Sequence, residues 1–204
     1  MITAKTVKEL RDRTGAGMMD CKKALVEADG NIELAIENLR KAGIAKAQKK
    51  SGRSANDGVI MNYIHPGSKL GVLVEVNCET DFVARTDKFH EFAKDIAMHI
   101  AASNPIAVTR EEILESVINK EKEIFAEQAR QSGKPDHIID KISTGMLEKY
   151  YSENVLTEQT YVKNPDKTIK DIVTEAISTF GENIGIARFV RFELGESTNT
   201  TSQD

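Results

Sequence analysis

The residues best suited to act on another molecule lie in the run Asn77-Cys78-Glu79-Thr80-Asp81-Phe82-Val83-Ala84-Arg85. A strand pattern stops there and a helical pattern has not yet begun. A Phe and a Val stand in the junction beside two carboxylates. Two readings of Phe82 are open. It can fold back on the core as a hydrophobic staple for the next helix. It can also be held out as an apolar wedge, flanked by Asp81, for insertion into a partner's pocket. A second candidate is Thr14-Gly15-Ala16-Gly17-Met18-Met19-Asp20, a turn with two glycines and two adaptable methionines. Such Met pairs serve as filler for a small core or as a contact surface.

Enzyme chemistry finds little support. No G-x-x-x-x-G-K-[ST] phosphate loop occurs, and Gly15-Ala16-Gly17 follows a helix rather than the strand a dinucleotide fingerprint requires. His90 and His99 share a helix nine residues apart, a spacing that makes no metal-binding pair on adjacent turns. The sequence therefore predicts no catalytic residue, no metal ligand set and no cofactor. Cys21 and Cys78 are the only cysteines, with no C-x-x-C, and both sit on apolar stripes. They read as small core residues in a reducing cytoplasm rather than as a disulfide or a nucleophile.

Composition narrows the class further. The 204 residues are 40% hydrophobic, enough to fill a core. The net charge of -4 argues against a dominant grip on nucleic acid. Trp is absent and aromatics are 5%, which leaves few platforms for stacking bases. No apolar run reaches the roughly 18 residues of a membrane span.

The elements that must carry these candidates follow from hydrophobic period. Residues 1–42 predict three short helices forming a small bundle, with Thr3 and Asn31 as N-caps and Gly30 and Gly43 ending helices two and three. Residues 43–57, with Lys46, Lys49, Lys50 and Arg53, read as a basic linker with a short helical start. From Val59 the period changes to two. Residues 59–64 and 70–78 predict an antiparallel hairpin turning at His65-Pro66-Gly67-Ser68. A helix follows, capped by Thr86 or Asp87 and ended before Pro105. Residues 110–131 and 136–151 predict a helical hairpin broken at Gly133-Lys134-Pro135, with Ile113, Val117, Ile124, Phe125 and Gln128 as one stripe. A helix over about 168–180 and a strand over 184–194 complete a single core, 58–195. Ile186, Val190, Phe192 and Leu194 alternate along that strand, interrupted by Arg188. The tail 196–204 reads as disordered. The fold class is α+β: an N-terminal three-helix module, then a small three-stranded antiparallel sheet packed on helices, plus the helical hairpin.

Four strings together resemble the translation elongation factor Ts family. They are Leu10 to Leu25, including the Gly-Met-Met turn, Asn31 to Arg40, Gly71 to Ala84, and Gln131-Ser132-Gly133-Lys134-Pro135. The resemblance runs over nearly the whole chain except the tail. The first 42 residues also resemble ubiquitin-associated three-helix modules. The resemblance implies a guanine-nucleotide exchange factor for elongation factor Tu that makes or breaks no bond itself. It implies that Arg11, Met18, Met19 and Lys22 face the GTPase. It implies that Thr80, Asp81, Phe82 and Val83 form a loop that dislocates Mg²⁺, and that His65 lies near the partner. It further implies that the pair of helices around Gly133 is a protruding coiled-coil hairpin.

Longer members of that family carry a duplicated core, whereas residues 56–195 leave room for one half. The expectation is a homodimer joined through the single core and acting on two GTPase molecules, with no direct nucleic-acid or membrane contact. Three other readings predict different behaviour. A helix- or ubiquitin-like binding module built on residues 1–42 is indifferent to Phe82→Ala. An RNA-associated translation accessory protein using the basic linker binds in a steeply salt-dependent way. An enzyme using Cys78, Glu79 and Asp81 predicts turnover sensitive to thiol reagents.

Overall fold

Three N-terminal helices form the first element of the computed structural model, which describes residues 2–196. Helix α1 spans Ala4–Thr14, α2 Met18–Glu27 and α3 Ile32–Lys50. Their starts are chemical. Thr3 and Thr6 form a reciprocal capping box, and Asn31 Oδ1 accepts the Leu34 N–H at 3.1 Å. Val7, Leu10, Cys21, Ala24, Leu25, Ala28 and Ala35 make one buried cluster, so each short helix is stabilised by the other two.

The third helix departs from expectation. It does not end at Gly43 but runs to Lys50, across the first half of the expected basic linker. Gly43 is buried, and a side chain there would begin 3.8 Å from Ser178. Mid-helix glycine costs only about 1 kcal/mol relative to Ala, so packing decides its fate. The basic residues of this stretch are anchored: Lys46 pairs with Asp20 at 2.8 Å, and Lys50 donates to the Gly181 carbonyl.

Strands β1 (Asp57–Ile64) and β2 (Leu70–Cys78) form the expected hairpin, and β3 (Gly185–Glu193) pairs on the other side of β2. The His65 N–H donates to the Leu70 carbonyl and the Leu194 N–H to the Lys69 carbonyl, which fixes both antiparallel registers. Val72, Val74, Val76 and Cys78 are buried on one face of β2. On the opposite face, Leu73 lies across from Val190, and Gly71 from Phe192. Phe192 and Leu194 are 62% and 77% exposed. The alternating apolar row of β3 is therefore its outer row.

A one-turn helix, α4 (Asp81–Ala84), precedes α5 (Asp87–Ser103). Thr86 is the cap of α5, with its Oγ1 accepting from the Phe89 N–H. The hairpin is α6 (Glu115–Gln131) and α7 (Asp136–Asn154), after a 3-10 turn at Arg110–Glu112. Its break falls at Gly133, where φ is +71°. Phe125 meets Tyr150 edge-on at 6.4 Å and Ala129 is buried, while Val117 and Ile124 of the expected stripe face outward. Helix α8 (Ile169–Phe180) precedes β3.

The chain forms two compact units. One comprises Met1–Val59, Val76–Phe92 and Asp171–Gly185. Besides the three-helix cluster it holds a second apolar group, Phe89, Phe92 and Phe180, whose rings touch one another, with Phe89 and Phe180 at 5.6 Å edge-on. The other comprises Ile60–Glu75, Ala93–Lys170 and the chain from Ile186. There Arg110 lies 4.1 Å above the Tyr151 ring and donates two bonds to Glu148, at 3.0 and 2.7 Å, and two to Glu158. This fork ties the base of the hairpin to the segment that follows it. Residues 197–204, most of the expected tail, lie outside the described residues.

Candidate functional site

Strand β2 delivers the chain to Thr80 in extended geometry, with φ −134° and ψ 153°. A residue at this position normally turns its hydroxyl onto the helix it precedes. Thr80 does not. Its Oγ1 donates to Glu182 Oε1 at 2.6 Å, and its N–H and that of Glu79 both donate to Glu182 Oε2 at 3.0 Å. The Glu79 carboxylate answers by accepting the Asn183 N–H at 2.6 Å. The Asn183 side-chain amide donates to the Arg53 carbonyl at 2.7 Å, and the Arg53 guanidinium reaches Glu79 at 3.5 Å. Chiefly the Asn183 N–H, helped by Arg53, holds the Glu79 carboxyl below its ordinary pKa. The Cys78 thiol donates to the Thr80 carbonyl at 3.2 Å.

With Thr80 held, α4 sorts its side chains. Ala84 points inward at 4% exposure and Phe82 outward at 85%, the most exposed large hydrophobic side chain among the described residues. The staple reading of Phe82 is thereby excluded. Asp81 pairs with Arg85 at 2.8 Å on the surface, and Val83 is half-buried. The junction is a fixed post with an apolar tip and a carboxylate beside it.

Arg11, Met18, Met19 and Lys22 are all exposed, and Met19 is three-quarters accessible. Gly15 takes a left-handed conformation that ends α1, and Gly17 starts α2 without a side-chain cap, so the two methionines occupy the first turn of α2. The module and the Thr80–Val83 post belong to the same compact unit. His65 belongs to the other unit, exposed at the β-hairpin turn, with its Nδ1 3.1 Å from the Tyr63 hydroxyl.

The residues that hold the post are ones the sequence pattern did not single out. Glu182 and Asn183 lie about a hundred residues from Thr80. Their only local signal is the turn after α8, where Gly181 adopts φ +76°.

Burial, chiefly, pushes the Cys78 thiol pKa upward, which disfavours the thiolate that a nucleophile would need. Among the described residues no group of three or more His, Cys, Asp or Glu is arranged to hold a metal ion. Among the same residues no helix is long and apolar enough to cross a membrane.

The comparison with known proteins agrees with the sequence strings. The family model described as Elongation factor TS matches residues 4–196. Elongation factor Ts of Thermoanaerobacter sp. strain X514 is 56% identical over 204 residues, covering all of both chains. That of Carboxydothermus hydrogenoformans is 57% identical over all of this chain and 94% of its own. That of Thermosipho melanesiensis is 58% identical over 96% of this chain and 100% of its own. Full-length matches of this strength, with the Gly-Met-Met turn and the Thr-Asp-Phe-Val post in place, make the chain a member of the elongation factor Ts family.

Proposed function

We propose that this chain is a cytoplasmic guanine-nucleotide exchange factor for elongation factor Tu, with Phe82 as its wedge. The observation that carries the mechanism is the pairing of Phe82, 85% exposed, with a hydrogen-bonded base beneath it. A large apolar side chain gains about 1.5–3 kcal/mol when a pocket covers it, and a loop whose backbone is already held adds little ordering cost on binding. A GTPase holds GDP through its phosphate loop and a Mg²⁺ with near-octahedral demands. A ring driven in beside the switch elements displaces the metal ligands without touching the nucleotide. Thr80 and Val83 shape the rim of the wedge. Asp81 brings a negative charge to the region of the metal, after exchanging its Arg85 partner for one on the GTPase.

Arg11, Met18, Met19 and Lys22 supply a second contact from the three-helix module, and His65 a peripheral one. The methionines adapt to the partner surface and the cations flank them. Coupling is reciprocal: a factor that weakens GDP binding is itself bound more weakly in the presence of GDP. The factor makes and breaks no bond and needs no cofactor, nucleic acid or membrane.

The active form in this reading is a homodimer. Antiparallel sheets with one wet face usually show polar residues there. Here Ile60, Ile64, Leu73, Val190, Phe192 and Leu194 are exposed, and Asn62, Ile64, Gly71, Leu73, Phe192 and Leu194 are among the residues lining a shallow depression of about 490 Å³. Its charged edge, Arg188 with Glu75 at 2.9 Å, is neutralised within the chain, so a second copy meets no repulsion there. A two-fold axis makes one such face complementary to itself.

The test is release of fluorescent GDP from elongation factor Tu on addition of this chain. Acceleration is expected, and its absence with a folded chain overturns the exchange reading.

A further inference from the structure

Three donors converge on Glu182, and all three come from the two residues that begin the wedge loop. Oε2 accepts the Glu79 and Thr80 N–H groups and Oε1 accepts the Thr80 hydroxyl. Bonds to an ionised acceptor are roughly twice as strong as neutral ones. The set is reciprocal, because the Asn183 N–H returns a bond to Glu79 at 2.6 Å. The same short loop holds the end of α3, through Lys50 on the Gly181 carbonyl and the Arg53 carbonyl on the Asn183 amide. The start of the wedge loop and the end of α3 are thus fastened to one turn, residues 181–183, within one compact unit.

From this geometry we infer that Glu182 is a positioning residue for exchange. It does not touch the GTPase. It withdraws the Thr80 hydroxyl from capping and fixes the entry of α4, which sets the direction in which Phe82 leaves the surface. Errors of about 1 Å in a positioned group are enough to cost large factors in rate. This inference rests on the exchange reading and adds a residue to it.

The experiment measures GDP release from elongation factor Tu across factor concentrations for wild type, Glu182→Gln, Glu182→Ala, Phe82→Ala and the Glu182→Gln/Phe82→Ala double variant. Glu182→Gln keeps the length of the side chain. Its amide satisfies the two backbone N–H groups only if the Thr80 hydroxyl reverses to become an acceptor. The expected fall in maximal release rate is about threefold for Gln and about tenfold for Ala, with the half-saturating factor concentration moving less than about twofold. In the Phe82→Ala background, Glu182→Gln is expected to change the rate by less than about 1.5-fold, because the group it positions is gone.

An equal fractional loss in both backgrounds overturns the inference, since a general weakening of the fold acts with or without Phe82. No loss from Glu182→Gln beside a strong loss from Phe82→Ala overturns it while leaving the wedge intact. No acceleration by wild type overturns the exchange reading itself and this inference with it. If Glu182→Ala fails to fold, as judged by its thermal transition, the isosteric Gln variant carries the test alone.

Discussion

Phe82 and Ala84 stand two residues apart on a single helical turn, one 85% exposed and the other 4%. Removing Phe82 therefore takes nothing from the core. Phe82→Ala is expected to change stability by less than about 0.5 kcal/mol. Phe89→Ala, at a fully buried site in the same unit, is expected to cost about 3–5 kcal/mol. Urea denaturation of the two variants checks both values.

His99 is expected to set an acid limit on stability. It is buried, its Nε2 donates to Gln159 Oε1 at 3.0 Å, and its Nδ1 accepts the Val162 N–H at 3.3 Å, so both nitrogens are committed to the neutral ring. Burial lowers its pKa, opposed by the bond to Gln159. The unfolded chain thus binds a proton more readily than the folded one. His99 favours the fold fully above its unfolded pKa of about 6.5, and that contribution is lost as pH falls from there toward the lower folded value. Within this window the slope attributable to His99 is up to about 1.4 kcal/mol per pH unit. Replacing His99 by Gln is expected to flatten it, measured as denaturation midpoints between pH 7 and 5.

Gly58 is required by close approach as well as by conformation. Its φ is +147°, and a Cβ built on it would lie 2.2 Å from the Val76 carbonyl oxygen. Backbone cannot yield as a side-chain tip does. Gly58→Ala is expected to destabilise by about 2–4 kcal/mol, with a lowered urea midpoint.

The outer sheet face predicts an assembly. Phe192→Glu places a charge on each copy at that face and is expected to yield a monomer mass in sedimentation where wild type gives a dimer. A wild-type mass that stays monomeric at every concentration, with full exchange activity, contradicts the dimer.

The distribution of these features explains what the sequence alone could reveal. The caps at Thr3 and Asn31, the β-hairpin and the break at Gly133 depend on nearby residues, and local spacing predicts them. The length of α3 depends on distant partners, Asp20 for Lys46 and Gly181 for Lys50, so Gly43 wrongly suggested an end. Alternation marks the apolar row of β3, yet a period of two is identical whichever side is covered. Sequence leaves the direction of Phe82 open because the junction pattern suits both a staple and a wedge. Glu182, distant in the chain, chooses between them by holding Thr80.

The most direct test of the central claim compares wild type with Phe82→Ala in the release of fluorescent GDP from elongation factor Tu, at several Mg²⁺ concentrations. Strong acceleration by wild type is expected, with a loss of at least about tenfold in the variant, as for a buried aromatic anchor. The loss is expected to shrink as Mg²⁺ is withdrawn, because the step Phe82 drives is then already complete. Acceleration unchanged by Phe82→Ala at every Mg²⁺ concentration would contradict the wedge and shift the activity to Met18, Met19 and the three-helix module.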